Sequence, residues 1–146
     1  MKKDLLSIRD LTKEELLGLL DKGLQFKKQG RKVKRTLQGY TLGMLFDKAS
    51  TRTRISFETA MFRLGGQTLF MHRAETQLSR DETVGDTARV LSRYLDAMAI
   101  RTFSQQFIEG MARSQTMAST VSPARISSAS LKRFLCKRAS AFCFRS

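Results

Sequence analysis

Three times between residues 40 and 113 a short, nearly continuous apolar run gives way to a capped segment with helical spacing. The runs are Tyr40-Thr41-Leu42-Gly43-Met44-Leu45-Phe46, Gln67-Thr68-Leu69-Phe70-Met71 and Ala97-Met98-Ala99-Ile100. Apolar side chains at successive positions suit a strand buried on both faces, which an alternating half-exposed strand would not show. Strand and helix in regular alternation imply βαβ units, a parallel sheet and right-handed crossovers. The fold class expected is therefore α/β, a three-layer αβα arrangement. In such sheets ligands bind at the carboxyl ends of the strands.

The helices have their own signals. Thr12 and Glu15 form a capping box, Leu11 can staple onto Leu16, and the apolar stripe reads Leu16, Leu17, Leu20 and Leu24. Ser50-Thr51 can cap a second helix, with Ile55, Phe57, Met61, Phe62 and Leu64 as its apolar residues and Gly65-Gly66 as its stop. Thr83 and Asp86 cap a third, which carries Val84, Ala88, Leu91 and Leu95. Ser104 starts a fourth with Phe107, Ile108 and Met111 inward. Residues 74–82 read as a polar loop.

Charge is unevenly placed. The chain of 146 residues has a formal charge of +14, yet residues 1–113 hold 21 Lys and Arg against all 13 acids, while residues 114–146 hold six basic residues and no acid. The expected organisation is one domain over 1–113 and a basic, Ser-rich, unstructured tail over 114–146. That tail carries Pro123, Cys136 and Cys143. Two cysteines with a single His in the chain make no zinc pattern, and no metal site is expected. No apolar run approaches the roughly 18 residues of a membrane span, and the start leads into an amphipathic pattern, so a soluble cytoplasmic protein without a membrane partner is expected. The segment from Lys27 to Arg35 packs six positive charges into nine residues. With no aromatic side chain interleaved for base stacking it reads as a solvated loop, and nucleic acid is not the expected partner.

The chemistry concentrates in Ser50-Thr51-Arg52-Thr53-Arg54, where a strand's carboxyl end meets a helix's amino end. Free backbone N–H groups and the positive end of the helix dipole favour an anion there. Two hydroxyl residues and two guanidinium groups add donors suited to phosphate oxygens. Arginines on a first helical turn are electrostatically unfavourable unless an anion sits nearby, which favours a phosphate site over an ordinary cap. The Gly-Lys-Ser/Thr end of a nucleotide P-loop is absent.

The run from Phe46 to Glu58, Phe-Asp-Lys-Ala-Ser-Thr-Arg-Thr-Arg-Ile-Ser-Phe-Glu, followed by Leu64-Gly65-Gly66, closely resembles the carbamoyl-phosphate signature of the aspartate and ornithine transcarbamylases. Gln77-Leu78-Ser79-Arg80-Asp81-Glu82 and the stretch Asp86 to Tyr94 resemble the ornithine branch, since the aspartate enzymes usually place a lysine in the first of these loops. The resemblance runs over residues 1–113. It implies that Ser50, Thr51, Arg52 and Thr53 hold the phosphate of carbamoyl phosphate, and that Arg101 is catalytic, reaching both phosphate and carbonyl oxygen. It also implies that Gln77 is donated across the interface of a homotrimer. Taken alone, Gln77 is an ordinary loop glutamine and Arg101 an ordinary surface arginine. Glu58 is expected to pair with a basic neighbour on its helix, and His72 to be a strand-end surface residue. The implied activity is transfer of a carbamoyl group to the side-chain amine of ornithine, giving citrulline and phosphate in arginine biosynthesis, with no metal or organic cofactor. Beyond Arg113 the family's His-Pro-Cys-Gln segment and ornithine-binding domain are missing, so an out-of-frame tail and an inactive chain are expected. The competing expectation is a small basic protein that binds nucleic acid or another anionic partner.

Overall fold

The computed structural model describes residues 4–30, 33–79 and 82–118. Arg31 and Lys32 of the basic segment, Arg80 and Asp81 of the polar loop, and all residues after Ala118, with Pro123, Cys136 and Cys143, lie outside them.

The elements follow the alternation in the sequence. Helix α1 spans Lys13–Gln29, strand β1 Thr41–Phe46, α2 Thr51–Arg63, β2 Gln67–His72, α3 Val84–Tyr94, β3 Ala97–Arg101 and α4 Gln105–Ala118. Short 3-10 turns cover Ile8–Asp10, Arg73–Glu75 and Gln77–Ser79, so the polar loop is partly ordered into turns. The three strands are parallel in the order β2-β1-β3. The first strand in the chain is thus the middle one, and every one of its residues is buried. That position explains why its sequence is continuously apolar: both of its faces and both of its edges are covered.

Alternate side chains of β1 feed two cores. Leu42, Met44 and Phe46 point with Ala99 toward Phe57 and Met61 of α2. Leu45 points the other way, toward Ala88 of α3 and Phe107 and Met111 of α4. Helices cover both faces, which makes the three layers. Gly43 faces the second side, where a Cβ would come within 2.3 Å of the Leu95 side chain, so the small residue lets the end of α3 lie against the sheet. Gly65, at φ +83, turns the chain after α2 in a conformation that L side chains rarely adopt.

The caps form as expected on α1, where Thr12 and Glu15 bond reciprocally, and on α3, where the Thr83 hydroxyl accepts from the Asp86 N–H. The Ser104 hydroxyl likewise accepts from the Phe107 N–H at the start of α4, at 3.2 Å. The packing adds what the apolar pattern leaves open. On α1 three of the four stripe leucines face outward: Leu17, Leu20 and Leu24 are all at least half exposed, whereas Leu16, with Leu19 and Phe26, is half-buried. Leucines occur on both sides of this helix, so periodicity alone could not pick its inner face. On α2, Phe57 and Met61 are buried while Ile55 and Phe62 are exposed, since a helix laid on one face of a sheet buries only one stripe. Finally, α4 runs through Arg113 to Ala118, past the expected boundary at 113/114. Acidic residues vanish at that point, but Gln, Met and Ala keep good helix propensity.

One buried group on α3 is without a partner. The Thr87 Oγ1 has no hydrogen bond among the described residues, in a residue that is only 7% exposed. Replacing it with an apolar group of the same shape removes an unmet desolvation cost, so Thr87→Val should stabilise the fold by about 1 kcal/mol. A urea titration with unchanged slope and a raised midpoint is the expected result; a lowered midpoint would show that the hydroxyl is bonded in solution.

Candidate anion site at the strand ends

The parallel register brings the carboxyl ends of all three strands together, with Phe46 opposite both His72 and Arg101. The chain then passes from β1 through Asp47, Lys48 and Ala49 into α2. Helix α2 therefore begins beside the strand ends, and its first turn presents the expected signature to them.

In that turn Ser50 occupies the N-cap position in extended conformation, and its side chain makes no capping bond to the helix backbone. Ser50 thus holds the cap position without acting as an ordinary side-chain cap. Its hydroxyl instead bonds the Thr53 hydroxyl at 2.9 Å, and the helical ladder starts only with the Arg54 N–H, which donates to the Ser50 carbonyl at 3.0 Å. An α-helix leaves its first backbone N–H groups without intrahelical acceptors. Here the cap residue that usually satisfies one of them does not. Thr51 and Arg52 are exposed, Ser50 and Thr53 half-buried. The arrangement is a polar, donor-rich cradle open on one side.

The two arginines of the signature divide. The Arg54 Nε donates to Glu58 at 2.8 Å, and its guanidinium lies over the Phe70 ring at 3.9 Å from the centroid. Arg54 is thus committed to the α2–β2 packing, and Glu58 has the basic neighbour expected of it. That leaves Arg52, exposed on the first turn, as the signature's guanidinium for an anion.

Arg101, the last residue of β3, is half-buried, and its Nε is buried without a hydrogen-bond partner among the described residues. A guanidinium donor in that condition is suited to an acidic ligand. Gln77 lies farther along, exposed on the second 3-10 turn after β2. Ser50, Thr51, Arg52, Thr53 and Arg101 therefore share the carboxyl edge of the sheet, whereas Gln77 sits on a separate loop. His72 ends β2 as expected, its Nδ1 accepting weakly from the Ala74 N–H at 3.4 Å.

Sequence reasoning missed the groups that join the strand ends. The Asp47 N–H donates to the Arg101 carbonyl at 2.8 Å. Its Oδ2 accepts from the Thr102 hydroxyl and, at 3.3 Å, from Arg73. Thr102 Oγ1 in turn accepts from the Ser104 N–H at 3.2 Å, and Arg73 stacks over Phe107. The available signal was the place of Asp47 one residue past a wholly apolar strand, where a carboxylate must find donors or be left charged against the core.

No group of three or more His, Cys, Asp or Glu residues that could hold a metal occurs among the described residues.

Comparison with known proteins agrees with this geometry. The family model described as the aspartate/ornithine carbamoyltransferase, carbamoyl-P binding domain, matches residues 3–126. An ornithine carbamoyltransferase of Syntrophus aciditrophicus (strain SB) is 52% identical over 121 residues, covering 80% of this chain and 39% of the relative. One of Bacillus thuringiensis subsp. konkukian (strain 97-27) is 48% identical over 115 residues, covering 79% and 36%. The solved structure of the ornithine carbamoyltransferase from Pyrococcus furiosus superimposes with a TM-score of 0.71 at 46% identity, over 76% of this chain and 36% of that one. The chain spans between a third and two fifths of the length of these relatives. With the signature at the start of α2, the sheet order and the family match all in agreement, the chain belongs to the aspartate/ornithine carbamoyltransferase family, of which it carries the carbamoyl-P binding domain.

Proposed function

We propose that these residues bind carbamoyl phosphate, with the phosphate at the first turn of α2 and the carbonyl oxygen toward Arg101, for transfer of the carbamoyl group to the side-chain amine of ornithine. The observation that carries this reading is the meeting of an uncapped helix start with an unpartnered Arg101 Nε at the same edge of the sheet. Ser50, Thr51, Arg52 and Thr53 are the phosphate ligands. In the reaction the amine nitrogen bonds to the carbonyl carbon and loses a proton, and the bond from that carbon to the phosphate oxygen breaks. Negative charge grows on the carbonyl oxygen and on the departing phosphate. Backbone N–H groups, Arg52 and Arg101 are fixed donors toward those atoms, so stabilisation comes from preorganised electrostatics and orientation, without need of metal or organic cofactor.

The products are citrulline and phosphate, and arginine biosynthesis is the pathway proposed for the reaction. The similarity to ornithine carbamoyltransferases supports ornithine as the acceptor. The assembly proposed is a homotrimer in which Gln77, exposed away from its own chain's cradle, completes a neighbour's site. Citrulline formation belongs to a chain of the relatives' full length; the binding step is what we assign to the residues described. Isothermal titration of the folded chain with carbamoyl phosphate, and separately with inorganic phosphate, tests the reading. Saturable binding of both, tighter for carbamoyl phosphate, is expected. No heat from either ligand at millimolar concentration would overturn it.

A further inference from the structure

Resting on that reading, we infer that Asp47 is a positioning residue for Arg101, acting through the main chain and Thr102. A carboxylate one residue from the end of β1 stands close to where an anion is to bind, and on charge alone it should weaken binding. Its side chain is only 13% exposed. What it does instead is tie three strand ends together. Its N–H takes the Arg101 carbonyl, and its Oδ2 takes the Thr102 hydroxyl and the Arg73 guanidinium. The donors come from the residues that follow β2 and β3, so a single carboxylate spans the whole sheet edge and has its charge offset by Arg73.

Arg101 is fixed by this through the peptide that follows it. Its carbonyl is held by Asp47, and the next residue, Thr102, is buried and bonded to Asp47 on one side and to the Ser104 N–H on the other. With the main chain that follows its Cα immobilised, the arginine keeps an Nε without a local acceptor. The donor is left without a protein acceptor among the described residues. Fixing a charged donor in advance is how a site avoids reorganisation at the moment of binding.

The test separates the tether from the charge. Asp47→Asn keeps an acceptor for Thr102, whereas Asp47→Ala removes it; Thr102→Ser keeps the hydroxyl, whereas Thr102→Val removes it. The ligand-free protein is read first, by the 15N relaxation of the Arg101 Nε–Hε signal, identified by its disappearance in Arg101→Lys. A rigid signal is expected in wild type, Asp47→Asn and Thr102→Ser, and a mobile one in Asp47→Ala and Thr102→Val. Met111→Ala, which weakens the opposite core, should leave the signal rigid and so serves as the control for lost stability. Inorganic phosphate is then titrated, and Thr102→Val should weaken its binding by about two- to tenfold, the worth of one net hydrogen bond. An Arg101 signal unchanged by Asp47→Ala and Thr102→Val overturns the positioning role, whatever the ligand does. Absence of phosphate binding in wild type overturns the carbamoyl-phosphate reading instead, and the two failures are told apart by which measurement gives them.

Discussion

Phe46→Ala should destabilise this domain by about 3–5 kcal/mol, the usual cost of emptying a large buried aromatic site. The residue is 1% exposed and ends the central strand. Its ring meets Phe70 edge to face, with centroids 5.4 Å apart, and belongs to the same cluster as Phe57 and Met61. Its neighbours come from β1, α2 and β2, so no single element can shift to fill the space. A domain of this size has a total stability of about 5–15 kcal/mol, so the variant is expected to be marginal or unfolded at 37 °C. Urea unfolding followed by circular dichroism measures it. Phe62→Ala provides the contrast, because that ring is 74% exposed and its loss should change stability by less than about 0.5 kcal/mol. Similar losses from the two substitutions would mean that α2 packs on a different face than described.

The second large effect is on binding. Arg52→Ala should reduce phosphate or carbamoyl phosphate affinity by about tenfold to a hundredfold, corresponding to one charge-assisted hydrogen bond of about 1.5–3 kcal/mol. The folding pattern isolates this residue: Arg54 is occupied by Glu58 and Phe70, so Arg52 is the guanidinium the first turn can offer. Arg35→Ala is the matched control. Arg35 lies against Gly65, ahead of the amino end of β2, at the opposite edge of the sheet from the cradle. Its removal lowers the net charge by the same amount and should leave affinity nearly unchanged. Equal losses from the two substitutions, together with a steep dependence on salt, would show diffuse attraction by the basic chain and would favour a nucleic-acid or other polyanion partner.

The sheet was legible because β1 is buried on both faces and can only be written in apolar residues. The cradle was legible for a different reason: arginines on a helix's first turn violate the dipole preference, and such a violation needs an anion to explain it. What the sequence did not reveal depends on contacts between distant segments. Leu17, Leu20 and Leu24 look as apolar as Leu16 and Leu19, and only the tertiary arrangement selects between the two faces of α1. The Asp47–Thr102 bond joins residues 55 positions apart, so neither residue carries a local mark of the other. Arg54 and Arg52 are chemically identical in the signature, and the placement of Phe70 beside one of them decides which is free.

The central position of β1 has a consequence for how the chain comes off the ribosome. This strand is synthesised before either of its neighbours. Its register partners lie 26 residues ahead in β2 and 55 residues ahead in β3, as for Leu42 with Thr68 and Ala97. At elongation rates of about 5–20 residues per second, the apolar strand waits about 1–5 s for one edge to be paired and about 3–11 s for the other. During that interval it is a bare template with two unpaired sides, the condition in which strands join the wrong chain. Six positive charges in the nine residues from Lys27 to Arg35 stand immediately before it. Like-charged nascent chains repel, and charges flanking an apolar strand act as gatekeepers against its association. The order of the sheet thus makes the solubility of the growing chain depend on the charged segment that precedes it in sequence.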